Sequence, residues 1–203
     1  MTDLPDLTAV ELVARYRDRT LSPVEVTEAV LARIEDRENE LHALYAYDPA
    51  SARSEAKASE ARWHDGEPLG PIDGVPLTLK ENIATRGTPV PLGTAATTLV
   101  PAPADAPAAA RVRESGGVLL AKTTLPDYGM LTSGLSSFHP ASRNPWDTTR
   151  TPGGSSAGAA AAAAAGYFGF SARSYGNIVG SNNDLRVGVI GFKSRGNSHI
   201  DAF

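Results

Sequence analysis

The chain has 203 residues, 41% of them hydrophobic and 21% charged, with a net charge of −4. That is enough apolar material for the core of one domain or a little more, and the small acidic excess, with no basic cluster, gives no basis for nucleic-acid binding. The absence of cysteine excludes disulfides and thiol catalysis, no run is long and apolar enough to cross a membrane, and the acidic Met1 to Leu7 segment lacks a secretory leader, so the cytoplasm is the expected compartment.

The elements follow in chain order. Thr8-Ala9-Val10-Glu11 has capping-box spacing, and Val10, Leu12, Val13 and Tyr16 follow on one side of a helix. Ser22-Pro23-Val24-Glu25 repeats the signal with proline at the first helical position, and Val26, Val30, Leu31 and Ile34 form the stripe to be buried. Leu41 to Tyr47 reads as a strand. Asp48-Pro49 starts a third helix that runs to about Trp63, with Gly66 ending it. These helices read as scaffold.

Val75 to Leu79 is a short apolar strand with Lys80 at its end. Residues 81–103 are rich in Thr, Pro and Gly and read as long loops. Asp105 is placed to cap a helix over Ala106 to Ser115, which Gly116-Gly117 stops. Val118 to Ala121 is a continuous apolar run, as in a strand covered on both faces. Leu135 to Thr151 is again loop. Strands alternating with helices predict a layered α/β fold.

The most informative stretch is Thr151-Pro152-Gly153-Gly154-Ser155-Ser156-Ala157-Gly158, followed by alanines to Ala165. Glycines free the backbone, and two serines stand where strong helix formers begin. Hydroxyls and unpaired N–H groups then meet at the positive end of a helix dipole, which suits an anion or a developing oxyanion. By itself the stretch fits a capped alanine helix equally well. A second candidate is Lys80. A lysine serves as a base only when neutral, against a reference pKa of about 10.4. Burial disfavours the ammonium, and lowering its pKa by about three units amounts to roughly 4 kcal/mol of bias. The strand before Lys80 could carry it into such an interior.

These stretches together, with Gly116 to Gly129 and Arg143-Asn144-Pro145-Trp146-Asp147 in the same order, resemble the amidase signature family. The resemblance covers most of residues 1–165. It implies hydrolysis of a carboxylic amide C–N bond through a Ser–cis-Ser–Lys triad, on a small-molecule substrate and without a cofactor or metal. It implies an α/β/α layered fold with an N-terminal helical layer, incomplete here. Carried over residue by residue, Lys80 is the general base and acid and Ser155, after a cis peptide, the proton relay. Ser156 and Met130 are the expected substrate-binding residues: Ser156 as a capping or supporting hydroxyl, and Met130, after Tyr128-Gly129, near the acyl pocket, with the core as the alternative for Met130. His42, His64, His139 and His199 are scattered without metal-ligand spacing and read as surface or satisfied residues.

The family continues with a Gly-Thr-Asp-x-Gly-Gly-Ser motif that holds the nucleophile. The family's spacing lands near Val179, which has no nucleophilic atom, and Ser181 is the nearest substitute. Residues 185–203 resemble instead the start of a Gfo/Idh/MocA oxidoreductase. There a strand leads to a glycine turn, with Gly191 and Gly196 as the outer glycines of a dinucleotide fingerprint and Lys193 in place of the middle one. The expected organisation is therefore chimeric: an amidase-like portion over 1–165, a linker over 166–184 and a Rossmann-like fragment over 185–203. The expected activity is an impaired amidase, with an NAD(P)-dependent oxidoreductase fragment or an inactive fragment as the alternatives.

Overall fold

The computed structural model describes residues 4–167. The expected linker beyond Tyr167, the Ser181 substitute, the 185–203 fragment and His199 lie outside the described residues, while Gly166 and Tyr167 close the end of the alanine run and Tyr167 is buried in the core. A 3-10 turn, Leu4–Asp6, leads into α1 (Ala9–Arg17) and α2 (Pro23–Leu41). Both helices start with the capping box that their sequences predict. The Thr8 hydroxyl accepts from the Glu11 N–H at 3.2 Å while the Glu11 carboxylate accepts from the Thr8 N–H at 2.8 Å, and Ser22 and Glu25 repeat the exchange at the same two distances. Two of the orphan donors at each helix start are thereby satisfied.

The stripe on α2 is buried as expected: Val26, Val30, Leu31 and Ile34. It packs with α3 (Pro49–Asp65), which presents Ala52, Ala56 and Ser59, small enough for close approach, and then Trp63. Asp48 caps α3 by accepting from the Ser51 N–H at 2.9 Å. After α3 the chain turns through Asp73, whose fully buried carboxylate accepts from Arg62 at 2.6 and 2.8 Å and from the Leu69 N–H at 2.7 Å. Burial alone would raise this carboxyl's pKa. The Arg62 guanidinium overrides that and holds it below the usual aspartate range.

Three strands make the sheet, in the order β1 (Leu44–Tyr45), β3 (Val118–Thr123), β2 (Pro76–Lys80). β1 runs antiparallel to β3. β2 runs parallel to it, with Lys80 opposite Thr123. β3 is the middle strand and is covered on both faces, as its unbroken apolar run predicts: Val118, Leu120 and Ala121 are buried. The predicted first strand is shorter than Leu41 to Tyr47, because Leu41 closes α2 and His42 leaves the helix in a left-handed conformation. The helix before β3 is α4 (Pro107–Glu114), and here the expected cap is corrected. Ala106 holds the cap position, without a side-chain bond. Asp105 instead accepts from the Arg86 N–H at 2.7 Å and pairs with Arg113 at 3.2 Å, so the ionic partner and the loop amide outcompete the helix start.

The alanine run forms α5 (Ala157–Ala164), with Ala157, Ala161 and Ala162 fully buried. Its first turn is fastened to the sheet. The Gly158 N–H donates to the Thr124 carbonyl at 3.0 Å, and the Thr124 N–H donates to the Ala43 carbonyl at 2.9 Å. A Cβ on Gly158 would stand 2.2 Å from the Ala43 oxygen and 2.4 Å from the Thr124 nitrogen, so only glycine fits. Gly158→Ala, which raises intrinsic helix propensity, is therefore expected to destabilise the fold by about 1–3 kcal/mol through overpacking against backbone. Urea denaturation checks the sign.

Candidate active site

Lys80 is the last residue of β2, so its amine stands at the carboxyl ends of two parallel strands, where α/β sheets place their ligands. Ser155 and Ser156 reach the same point from the other side, because the Gly158–Thr124 bond sets the start of α5 just beyond the end of β3. Lys80 Nζ lies 3.1 Å from Ser155 Oγ and 2.9 Å from Ser156 Oγ. The peptide between Gly154 and Ser155 is cis. Gly154 passes so close to the 131–133 segment that a Cβ there would sit 2.6 Å from the Ser133 carbonyl oxygen. Burial lowers the pKa of the Lys80 amine from the ordinary lysine value, and the neighbouring Glu81 carboxylate opposes that shift.

The residues singled out in the sequence thus fall into two groups. Lys80, Ser155 and Ser156 are brought together. Ser156 holds the cap position of α5, but its hydroxyl makes no capping bond and accepts from the Lys80 amine, so of the two roles expected for it, capping or supporting, capping is excluded. Met130 stands apart: it is 74% exposed and is not a core residue. The turn before it does approach the site, since a Cβ on Gly129 would lie 3.9 Å from Ser155 Oγ.

Two further groups escaped the sequence reading. Glu81 is fully buried next to Lys80, and its carboxylate meets His139 Nε2 and the Gly93 N–H, the latter at 2.7 Å. Lys122 on β3 is 2% exposed, and its amine has no hydrogen-bond partner among the described residues. Burial lowers its pKa, against the pull of Glu81. The adjacency of Lys80 and Glu81 was the available signal; nothing in the sequence tied His139 to them. A polar cavity of about 320 Å³ lies beside Lys122, lined also by Ser51, Glu55, Thr85, Arg86 and Thr88, and by neither Lys80 nor Ser155. Among the described residues no group of His, Asp and Glu side chains is arranged to hold a metal ion, and no helix is long and apolar enough to cross a membrane.

A layered α/β fold, with a lysine at a strand end facing two serines at a helix start, defines the class. The amidase family model matches residues 25–176, and the chain belongs to that family. Its match runs on beyond Ala165. The chain is 43% identical over 156 residues to the A subunit of the glutamyl-tRNA(Gln) amidotransferase of Acidothermus cellulolyticus, an alignment that takes in 77% of this chain and 31% of the relative. Native peptide amidase from Stenotrophomonas maltophilia superposes with a TM-score of 0.73 at 31% identity, over 79% of this chain and 34% of that one. A bacterial aryl acylamidase of the amidase signature family gives a TM-score of 0.71 at 32% identity, over 80% of this chain and 34% of that one. The chain thus spans about a third of the length of the relatives it matches.

The geometry separates the two serines from ordinary helix caps. Ser22→Ala is expected to cost about 1 kcal/mol, the usual value for a lost N-cap. Ser156→Ala removes no capping bond from α5 and is expected to cost less than about 0.5 kcal/mol. Paired urea melts of the two variants measure the difference.

Proposed function

We propose that this chain carries the proton-transfer part of an amidase-type hydrolase acting on the C–N bond of a small-molecule carboxylic amide. The observation that carries the reading is the Lys80 amine within 3.1 Å of Ser155 Oγ, in surroundings that favour its neutral form. Membership of the amidase family supports it further.

In this reading a neutral Lys80 accepts the Ser155 hydroxyl proton. Ser155 Oγ in turn takes the proton of a nucleophilic serine as that serine attacks the amide carbon. Lys80, now an ammonium, returns the proton through Ser155 to the leaving amine when the C–N bond breaks. A second proton transfer through the same pair activates water to release the acid. The Ser156 hydroxyl accepts an N–H of the amine throughout, so the lone pair stays directed at Ser155. Met130 borders the acyl side of the substrate from its exposed position after the Gly129 turn. No step calls for a metal or a cofactor.

The nucleophile limits the chain. With Val179 where the family's spacing expects a serine, and Ser181 two positions late, we read the hydrolase as impaired. A lysine and a relay hydroxyl without a nucleophile form no acyl-enzyme. A fluorophosphonate serine probe tests the reading. Labelling should be slow, should fall on the substitute Ser181, and should disappear in Lys80→Met and in Ser155→Ala; no Lys80-dependent labelling would leave the chain inactive. Labelling that survives Lys80→Met would mean a serine activated by something else, and would overturn it.

A further inference from the structure

A buried carboxylate needs partners, and the partners of Glu81 come from three separate loops and strands. Its Oε1 accepts from the Gly93 N–H at 2.7 Å, and its Oε2 meets His139 Nε2. One proton between the imidazole nitrogen and the carboxylate oxygen makes this contact a hydrogen bond. The Glu81 N–H donates to the Thr123 carbonyl at 3.0 Å, and Thr123 is the residue opposite Lys80 in the sheet. The His139 N–H donates to Ser136 Oγ at 2.8 Å, and the Ser136 hydroxyl donates to the Gly93 carbonyl at 2.5 Å, closing the ring of contacts back onto the residue that holds Oε1. The His139 ring is itself wedged between Tyr45 and Phe138, at centroid distances of 5.3 and 4.8 Å.

We propose that Glu81 and His139 are positioning residues for Lys80: the imidazole fixes the Glu81 carboxylate, and through it the end of β2, so that the Lys80 amine stays within reach of both serine hydroxyls. The inference rests on the reading of Lys80 and Ser155 as proton carriers. The device works by geometry and by charge. The loops that carry Gly93 and His139 close over Glu81 and keep it from swinging into solvent. The carboxylate then faces four titratable groups: His139 from the loop after residue 135, Lys80 from β2, Lys122 from β3 and Tyr45 from β1. Of the two amines, Lys80 alone reaches the serines, while Lys122 has no hydrogen-bond partner among the described residues. The fixed carboxylate beside this pair opposes the loss of the Lys80 proton that burial favours. The amine can then both take a proton and give one back.

Competitive acetylation with acetic anhydride, read by mass spectrometry across a pH series with the exposed Lys57 as internal reference, tests the inference on the full chain. Glu81→Gln removes the charge, His139→Leu removes the donor, and His139→Gln keeps an N–H donor in its place. Glu81→Gln and His139→Leu are expected to move the pH midpoint of Lys80 labelling downward, so that Lys80 reacts about threefold or more faster below its midpoint. That corresponds to half a pKa unit, and Lys57 should not change. The plateau at high pH should stay in place, which separates a change of charge from a mere gain in exposure. His139→Gln should retain the wild-type midpoint. An unchanged midpoint in Glu81→Gln, or His139→Gln behaving as His139→Leu, would overturn the proposal. If His139→Leu fails to fold, Glu81→Gln and His139→Gln decide between the same outcomes. The readout needs no turnover. A chain that hydrolyses no amide yet shows this pattern loses the hydrolase reading and keeps the positioning one.

Discussion

One backbone hydrogen bond, from the Gly158 N–H to the Thr124 carbonyl, sets where everything else at the site can be. It fastens the first turn of α5 to the chain leaving β3. The bond requires a helix backbone to approach a strand end closer than any side chain allows, which is why a glycine interrupts the alanines at this position. Given that contact, Ser155 and Ser156 stand at the end of the parallel pair β2 and β3. The parallel register then brings Lys80, opposite Thr123, to the same place. The meeting of amine and hydroxyls is thus a result of sheet topology and one close packing contact, with little contributed by the serine loop alone.

The electrostatics at this point are a balance between two effects of burial. Withdrawal from water disfavours the Lys80 ammonium, whereas the neighbouring Glu81 carboxylate favours it. Neither effect is large at an exposed site. Both grow in the shielded ground beneath the loops, where water no longer screens one group from the other. Lys122 lies under the same two influences and makes the contrast plain: drawn by the same carboxylate, it has no hydroxyl to exchange a proton with among the described residues.

Much of this was legible in the residues. Helix starts were readable because Thr8-x-x-Glu11 and Ser22-Pro-x-Glu25 encode short-range bonds that need no tertiary context. The covered middle strand was readable from its unbroken apolar run. Lys80 and Ser155 were readable only through resemblance, since a lysine at a strand end and a serine before alanines are each commonplace. Where the reading failed, long-range partners had won. Asp105 had Arg113 within reach and gave up the cap; Ser156 had the Lys80 amine. Of the two places open to Met130, beside the acyl pocket or in the core, its exposure excludes the core. Glu81 and His139 are 58 positions apart in an irregular region with no periodicity to align them, so no local pattern joins them.

That division has a physical consequence for how the site can vary. The two serines and the lysine sit on a helix start and a strand end, elements braced by the sheet and by the buried alanines of α5. The partners of Glu81 sit on loops, where backbone is held by a few side-chain bonds rather than by a ladder. A change in the loops that leaves the scaffold intact can therefore reach Lys80 through Glu81, altering both the charge beside the amine and the hold on the end of β2. Stability and proton handling are separable in this chain. The first belongs to α2, α3 and the sheet, and the second depends on a carboxylate anchored by the least regular part of the fold.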